Sequence, residues 1–175
     1  HYPMQRVDDC LAKAAGKSFF SKLDARSGFS QIPIALEDQP KTSFWWRGVA
    51  WMYTRAPLGL TNIPAHFQEA MDTILAMEGL QEFATCYVDD ILIYSDTADE
   101  HIIHLCLVLV ALFKNNLKAH PNKSLFVAPV MDFLGFQVNG VGITPMDAKV
   151  AAIKDLKSPT SVPHLRSLLG FLNYY

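Results

Sequence analysis

The chain has 175 residues, half of them hydrophobic and 11% aromatic, which is enough for one proper core and a second small unit and too apolar for intrinsic disorder. Its formal charge of −2 is unevenly placed, with 8 Lys/Arg against 14 Asp/Glu in residues 1–110 and 7 against 3 in residues 111–175; an acidic half joined to a basic half suits a metal-binding part beside an anion-facing part and, more commonly, solvated faces of uneven sign. Cys10, Cys86 and Cys106 are odd in number and form no CxxC pair, which argues for a reducing compartment and against a disulfide framework or a structural zinc site.

The opening stretch "HYPMQRVDDC" has neither the basic nor the apolar region of a secretory signal, and no apolar run reaches transmembrane length, so no membrane partner is expected. Starting without Met and closing inside the apolar pattern "LLGFLNYY", the sequence reads as a piece of a longer one. Residues 18–35, "SFFSKLDARSGFSQIPIA", predict a strand ending at Asp24, a turn around Arg26-Ser27-Gly28 and an extended return. Residues 42–56, "TSFWWRGVAWMYTRA", predict a β-hairpin about Arg47-Gly48, because aromatic and β-branched residues flank that dipeptide.

In "LGLTNIPAHFQEAMDTILAMEG", Asn62 and Pro64 signal a helix start, Phe67, Met71, Ile74 and Leu75 form one apolar face, and Gly79 closes the helix. Thr97 and Glu100 have the spacing of a capping box that opens a second helix, with Ile102, Leu105, Leu109, Leu112 and Phe113 on its inner face and an end near Asn115-Asn116. "SLFVAPVMDFLGFQVNGVGITP" predicts two short strands with a turn at Asn139-Gly140. Two final helices are expected, one beginning at Thr144-Pro145 and the other after Pro163, carrying Leu165, Leu168, Leu169 and Leu172 inward. This irregular alternation, with at least one hairpin, predicts an α+β fold: an antiparallel sheet with helices packed on one face.

The segment that demands chemistry is "FATCYVDDILIYS", residues 83–95, where Asp89 and Asp90 interrupt the most β-prone run of the chain. Two adjacent carboxylates repel each other and resist burial, so a compensating positive charge is expected. Adjacent aspartates are also ordinary turn-formers facing water, although such turns seldom interrupt so apolar a run. If the run is a tight hairpin, both carboxylates meet at a sheet edge, where hard oxygen ligands suit Mg²⁺ or Mn²⁺. A metal pair about 3.5–4 Å apart needs carboxylates from more than one segment, and Asp24, ending a predicted strand, is the best third candidate.

"YVDD" in a hydrophobic hairpin resembles motif C of reverse transcriptases. "FSKLDARSGFSQIPI" resembles their motif A, "PLGLTNIPAHFQ" motif B, "NNLKAHPNKSLF" motif D and "FLGF" the motif E primer grip. The order and spacing are similar to those of gypsy-type LTR retrotransposons, as is the closing "LRSLLGFLNYY", so the resemblance covers nearly all of residues 2–175. It implies a polymerase palm-type sheet over residues 1–140 with partial fingers elements around 36–58, and the start of a thumb or connection region, with a short helical segment, over 141–175.

The resemblance further implies an RNA-directed DNA polymerase that joins a primer 3′-OH to a deoxynucleotide by two-metal phosphoryl transfer. Asp24, Asp89 and Asp90 would be catalytic and would hold two Mg²⁺ (or Mn²⁺) ions, with the Ala25 carbonyl as a further ligand. Ala25, Arg26, Ser27 and Gly28 would shape the triphosphate pocket, and Phe29 would stand as a steric gate against a ribose 2′-OH. Leu58 and Gly59 would lie over the incoming base and template, Gln68 would lean toward the template, and Lys123 would offer a proton to pyrophosphate. Phe133, Leu134, Gly135 and Phe136 would cradle the primer end. Without the resemblance, Phe29 and the "FLGF" run read as core residues, Gly59 as a turn and Lys123 as a surface lysine.

Where the family reads "D-L-R-S-G-Y", this sequence has Ala25 and Phe29, and Trp45, Trp46 and Trp51 replace more polar residues before motif B. Implied partners are an RNA or DNA template, a DNA or tRNA primer, deoxynucleoside triphosphates, and the fingers, thumb and RNase H regions of the same polyprotein; the implied setting is a cytoplasmic virus-like particle. A non-catalytic remnant that only binds nucleic acid is the alternative, and a metal-dependent nuclease gives no reason for Phe29 or "LGLTNIP". In "HIIHLC", His101 and His104 share a helix face while Cys106 turns away, which favours surface histidines over a metal cluster. GxGxxG and P-loop patterns are absent.

Overall fold

A computed structural model describes residues 2–154 and 158–174. The first half runs α1 (Val7–Ala14), β1 (Phe19–Asp24), β2 (Phe44–Trp46), β3 (Val49–Trp51), α2 (Ile63–Met77), β4 (Ala84–Tyr87) and β5 (Asp90–Ser95). It continues through α3 (Ala98–Lys114), β6 (Leu125–Ala128), β7 (Val130–Phe133), β8 (Phe136–Asn139), β9 (Gly142–Pro145), α4 (Asp147–Lys154) and α5 (Val162–Tyr174). The central sheet is antiparallel with the order β4-β5-β1-β6, beside a three-stranded sheet β7-β8-β9 and the β2-β3 hairpin.

Every residue of β5 from Ile91 to Ser95 is buried, which requires both sheet faces to be covered. Ile91 and Ile93 join Leu23 and Cys86 against Phe67, Met71 and Leu75 of α2 and Val108, Ala111 and Leu112 of α3. Leu92 and Tyr94 join Phe20 on the other face, against Cys10, Leu11 and Ala14 of α1 and Met131, Phe133 and Val138. The two long helices therefore share one face, as expected, and α1 with the small sheet closes the opposite one. Among the described residues no helix is long and apolar enough to cross a membrane.

Helix α2 follows its apolar period, and Gly79, at φ +69, lets the Leu80 N–H reach back to the Leu75 carbonyl at 2.8 Å, a left-handed close that a Cβ would disfavour. Thr97 caps α3 by accepting the Glu100 N–H at 3.3 Å. The inner face of α3 follows the expectation only in part: Leu112 is buried and Leu105 packs against the core, but Ile102, Leu109 and Phe113 are exposed and His101, Val108 and Ala111 are buried in their place. The run is apolar almost all round, so its period carries no phase.

His101 is not a surface histidine. Its ring bonds Ser21 Oγ at 2.7 Å and Ser95 Oγ at 2.8 Å, so the buried polar group is satisfied from both neighbouring strands. Burial, followed by the nearby His104, holds its pKa below the ordinary 6.5. Because the folded value is depressed, the neutral ring's stability is fully present above pH 6.5 and is lost as pH falls below it. His101→Gln should therefore narrow the gap in melting temperature between pH 7.5 and pH 5, read by differential scanning fluorimetry of both proteins.

Four further expectations are corrected. After Gly28 the chain forms a 3₁₀ turn, Gly28–Gln31, instead of an extended return. Four strands, β6 to β9, replace the expected two, because the run is interrupted at Pro129, between β6 and β7, and at the turn Leu134 (φ 51)-Gly135 (φ 84), between β7 and β8. Thr144-Pro145 closes β9, and α4 starts at Asp147. In α5, Leu165, Leu169 and Leu172 are exposed and Leu168 is partly buried, so that face does not point inward.

Candidate active site

The β4–β5 hairpin closes through a two-residue turn, Val88-Asp89, between the paired Tyr87 and Asp90. Val88 stands at φ 52, which for a β-branched residue costs on the order of 1–3 kcal/mol and persists only when its surroundings impose it. The buried Gln68 of α2 imposes it: its Oε1 accepts the Val88 N–H at 2.7 Å and its Nε2 donates to the Cys86 carbonyl at 2.8 Å. The Ala25 N–H donates to the Asp89 carbonyl at 2.8 Å, which ties the turn to the end of β1. Asp24 is the register partner of Asp90. The three aspartates thus meet where the two central strands end, and not at a lateral edge of the sheet.

Their electrostatics are unfavourable as they stand. Burial, then Asp24 and Asp90, raise the Asp89 pKa against the pull of Lys123. Burial also raises that of Asp90, with Lys22 opposing it and Asp24 adding to it. Lys123 Nζ approaches Asp24 Oδ1 at 3.8 Å from a largely exposed position, so its compensation is screened. Asp89 Oδ1 is buried without a hydrogen-bond partner. That orphaned acceptor, among oxygens that only accept, fits a hard divalent cation. Among the described residues no three His, Cys, Asp or Glu side chains already form a ligand cage.

Raised folded pKa values mean that folding stability falls as pH rises from the ordinary carboxylate range through the folded values. A cation relieves that cost only where the carboxylates are ionised. Mn²⁺ should therefore raise the melting temperature more at pH 7.5 than at pH 5, measured by calorimetry with and without the ion.

Of the expected pocket residues, Gly28 and Phe29 stand beside the aspartates. Gly28 is buried under Asp89, and a Cβ there would collide with Asp89 Oδ1 and come within 3.0 Å of the Phe67 ring. Phe29 is partly buried and meets Phe67 edge-to-face at 5.9 Å. Arg26 donates its N–H to the Lys118 carbonyl, and Ser27 adopts φ 50. Leu58 is 84% exposed beside Gly59 at φ +101. Phe133 is buried, and Leu134 and Phe136 pack against the second core cluster around the Leu134-Gly135 turn, so this turn belongs to the opposite face of the sheet from α2 and α3.

Gln68 does not lean toward a template: it is fully buried and its amide is occupied by the hairpin. The signal in the sequence was a lone amide beside Phe67 on an otherwise apolar helix face, where a buried polar group needs partners.

The family profile described as Reverse transcriptase (RNA-dependent DNA polymerase) matches residues 2–138. The chain is 38% identical over 174 residues, 99% of its length, to the Retrovirus-related Pol polyprotein from transposon opus of Drosophila melanogaster. It is 36% identical, over the same share, to the corresponding polyprotein from transposon gypsy of that organism. It spans 17% of the length of each. Among solved structures it is similar to the foamy viral protease-reverse transcriptase in complex with RNA/DNA hybrid, at a TM-score of 0.83 and 28% identity, covering 98% of this chain and 23% of that one.

Proposed function

Because the chain belongs to the reverse transcriptase family, we propose that it is the palm-centred part of an RNA-directed DNA polymerase from a gypsy-type polyprotein, extending a primer with deoxynucleotides. The observation that carries this reading is the convergence of Asp24, Asp89 and the unpartnered Asp89 Oδ1 with Asp90 at one strand end. Asp24, Asp89 and Asp90 would hold two Mg²⁺ ions, with the Ala25 carbonyl as a further ligand. Bound there, such ions would activate the attacking hydroxyl and neutralise charge on the leaving pyrophosphate.

The chain's own residues then position and select. Gly28, lacking a Cβ, leaves Asp89 its place, and Ala25 to Gly28 offer backbone to the triphosphate. Phe29, braced by Phe67, occupies the space a ribose 2′-OH would need. Leu58 and Gly59 lie over the base, and Lys123, near Asp24, reaches the phosphates as charge donor and proton source. Phe133 to Phe136 support the primer end. We assign residues 1–140 to the palm, with fingers elements at 36–58, and 141–175 to the start of the thumb or connection. Template, primer, nucleotides and the remaining polyprotein regions are the partners, in a cytoplasmic virus-like particle.

The test is primer extension by the full-length enzyme on an RNA template with Mg²⁺. Deoxynucleotide incorporation is expected to exceed ribonucleotide incorporation by about 10²-fold, the discrimination that an apolar pocket gives against an added hydroxyl. Template-primer binding without any synthesis would overturn the reading.

A further inference from the structure

We propose that Asp72 is a positioning residue: its carboxylate fixes the Gln68 amide in the one orientation that holds the Val88-Asp89 turn, and so sets where the Asp89 carboxylate stands. The inference rests on the reading of Asp89 as a cation ligand and adds a residue outside the acidic triad.

Gln68 and Asp72 lie one helical turn apart on α2, and Gln68 Nε2 donates to Asp72 Oδ1 at 2.9 Å. A side-chain amide has nearly the same shape when flipped, so shape alone does not orient it. Flipped, Gln68 would set its N–H group against the Val88 N–H and its oxygen against the Cys86 carbonyl. An ionised carboxylate only accepts hydrogen bonds, so Asp72 admits the NH₂ end and rejects the oxygen. A hydroxyl or an amide at position 72 could serve either orientation.

Asp72 is itself fastened. The Tyr2 hydroxyl donates to its Oδ2 at 2.7 Å and Gln5 Nε2 donates to its Oδ1 at 2.8 Å. The bond to Asp72 pushes the Tyr2 phenol up to about 12, so that hydroxyl remains a donor. One carboxylate thereby joins the N-terminal segment to the strained turn, and every contact in the chain pairs a donor with an acceptor. Val88 at φ 52 makes the arrangement consequential, since a strained turn relaxes when its restraint is loosened.

The test is Mn²⁺ binding to the full-length enzyme, read by electron paramagnetic resonance, alongside kcat and nucleotide KM. Asp72→Leu should weaken Mn²⁺ binding about 10-fold, the usual effect of losing a partner behind a metal ligand, and lower kcat while leaving nucleotide KM unchanged. Asp72→Asn, which keeps an acceptor but whose amide serves either orientation of Gln68, should fall between wild type and Asp72→Leu. Gln68→Glu sets two carboxylates together and should be worse, and adding Asp72→Asn should restore part of the loss by reversing donor and acceptor.

If Asp72→Leu does not fold, this pair carries the test alone. Wild-type Mn²⁺ affinity in Asp72→Leu, or strictly additive losses in the pair, overturns the proposal. If Asp89→Asn leaves Mn²⁺ binding intact, the metal-centre reading itself has failed and the proposal falls with it. Binding lost in Asp89→Asn but unchanged in Asp72→Leu refutes the positioning role alone.

Discussion

Asp89→Asn is expected to lower primer extension by the full-length enzyme about 10³-fold or more, the scale of removing a preorganised electrostatic partner from a reacting centre. The substitution keeps the side chain's shape. It also spares the turn, because what binds β1 is the main-chain carbonyl of Asp89, which accepts the Ala25 N–H at 2.8 Å. Burial and two neighbouring carboxylates already disfavour the charge at this position, so the cation-free variant should melt no lower than wild type. Asp96, exposed and paired with Lys17 at 2.8 Å, supplies the control, and Asp96→Asn should leave extension unchanged. Extension rates and melting curves on the three proteins decide the point. A wild-type rate for Asp89→Asn would remove that carboxylate from the chemistry.

Gly28→Ala is expected to be nearly as damaging, for a reason of space instead of charge. An added Cβ would collide with Asp89 Oδ1 and stand 3.0 Å from Phe67 Cζ. Phe67 is fully buried between the sheet and α2, so the ring has little room to retreat and the carboxylate has to move. Overpacking of this kind costs about 1–3 kcal/mol of stability, and displacing a catalytic group by an ångström costs about 10²-fold in rate. Gly140 is the useful comparison: a Cβ there would meet only the Lys17 carbonyl at an ordinary 3.7 Å, so Gly140→Ala should extend and melt like wild type. Equal behaviour of the two glycine variants would show that Asp89 is free to stand elsewhere.

What the sequence made legible was local. The strand ending at Asp24, the Asp-Asp hairpin and the Phe67 face of α2 follow from periods and from Gly and Pro punctuation that neighbouring residues carry. The phase of α3 did not follow, because a helix apolar on nearly every side gives no preference, and the sheet chose the face where Ser21 and Ser95 could satisfy His101. The β7–β8 turn was missed because a left-handed Leu134 is set by tertiary packing and not by turn propensity.

The candidate site divided along the same line. Carboxylate identities could be read from "LDARSG" and "YVDD", and their adjacency depends on the β1–β5 register. The supporting roles of Gly28 and Gln68 are defined by partners far along the chain, and the local Gln68–Asp72 pair does not by itself show which hairpin it supports.

The central claim is that Asp24, Asp89 and Asp90 together hold the divalent cations used for nucleotide transfer. Its most direct test is anomalous diffraction from crystals of the full-length enzyme grown with Mn²⁺, template-primer and a non-extendable deoxynucleotide. Two manganese peaks are expected at the shared end of β1 and β5, bonded to Asp24 and Asp89 with Asp90 completing the set. Manganese bound elsewhere, or bound there without Asp24, would contradict it.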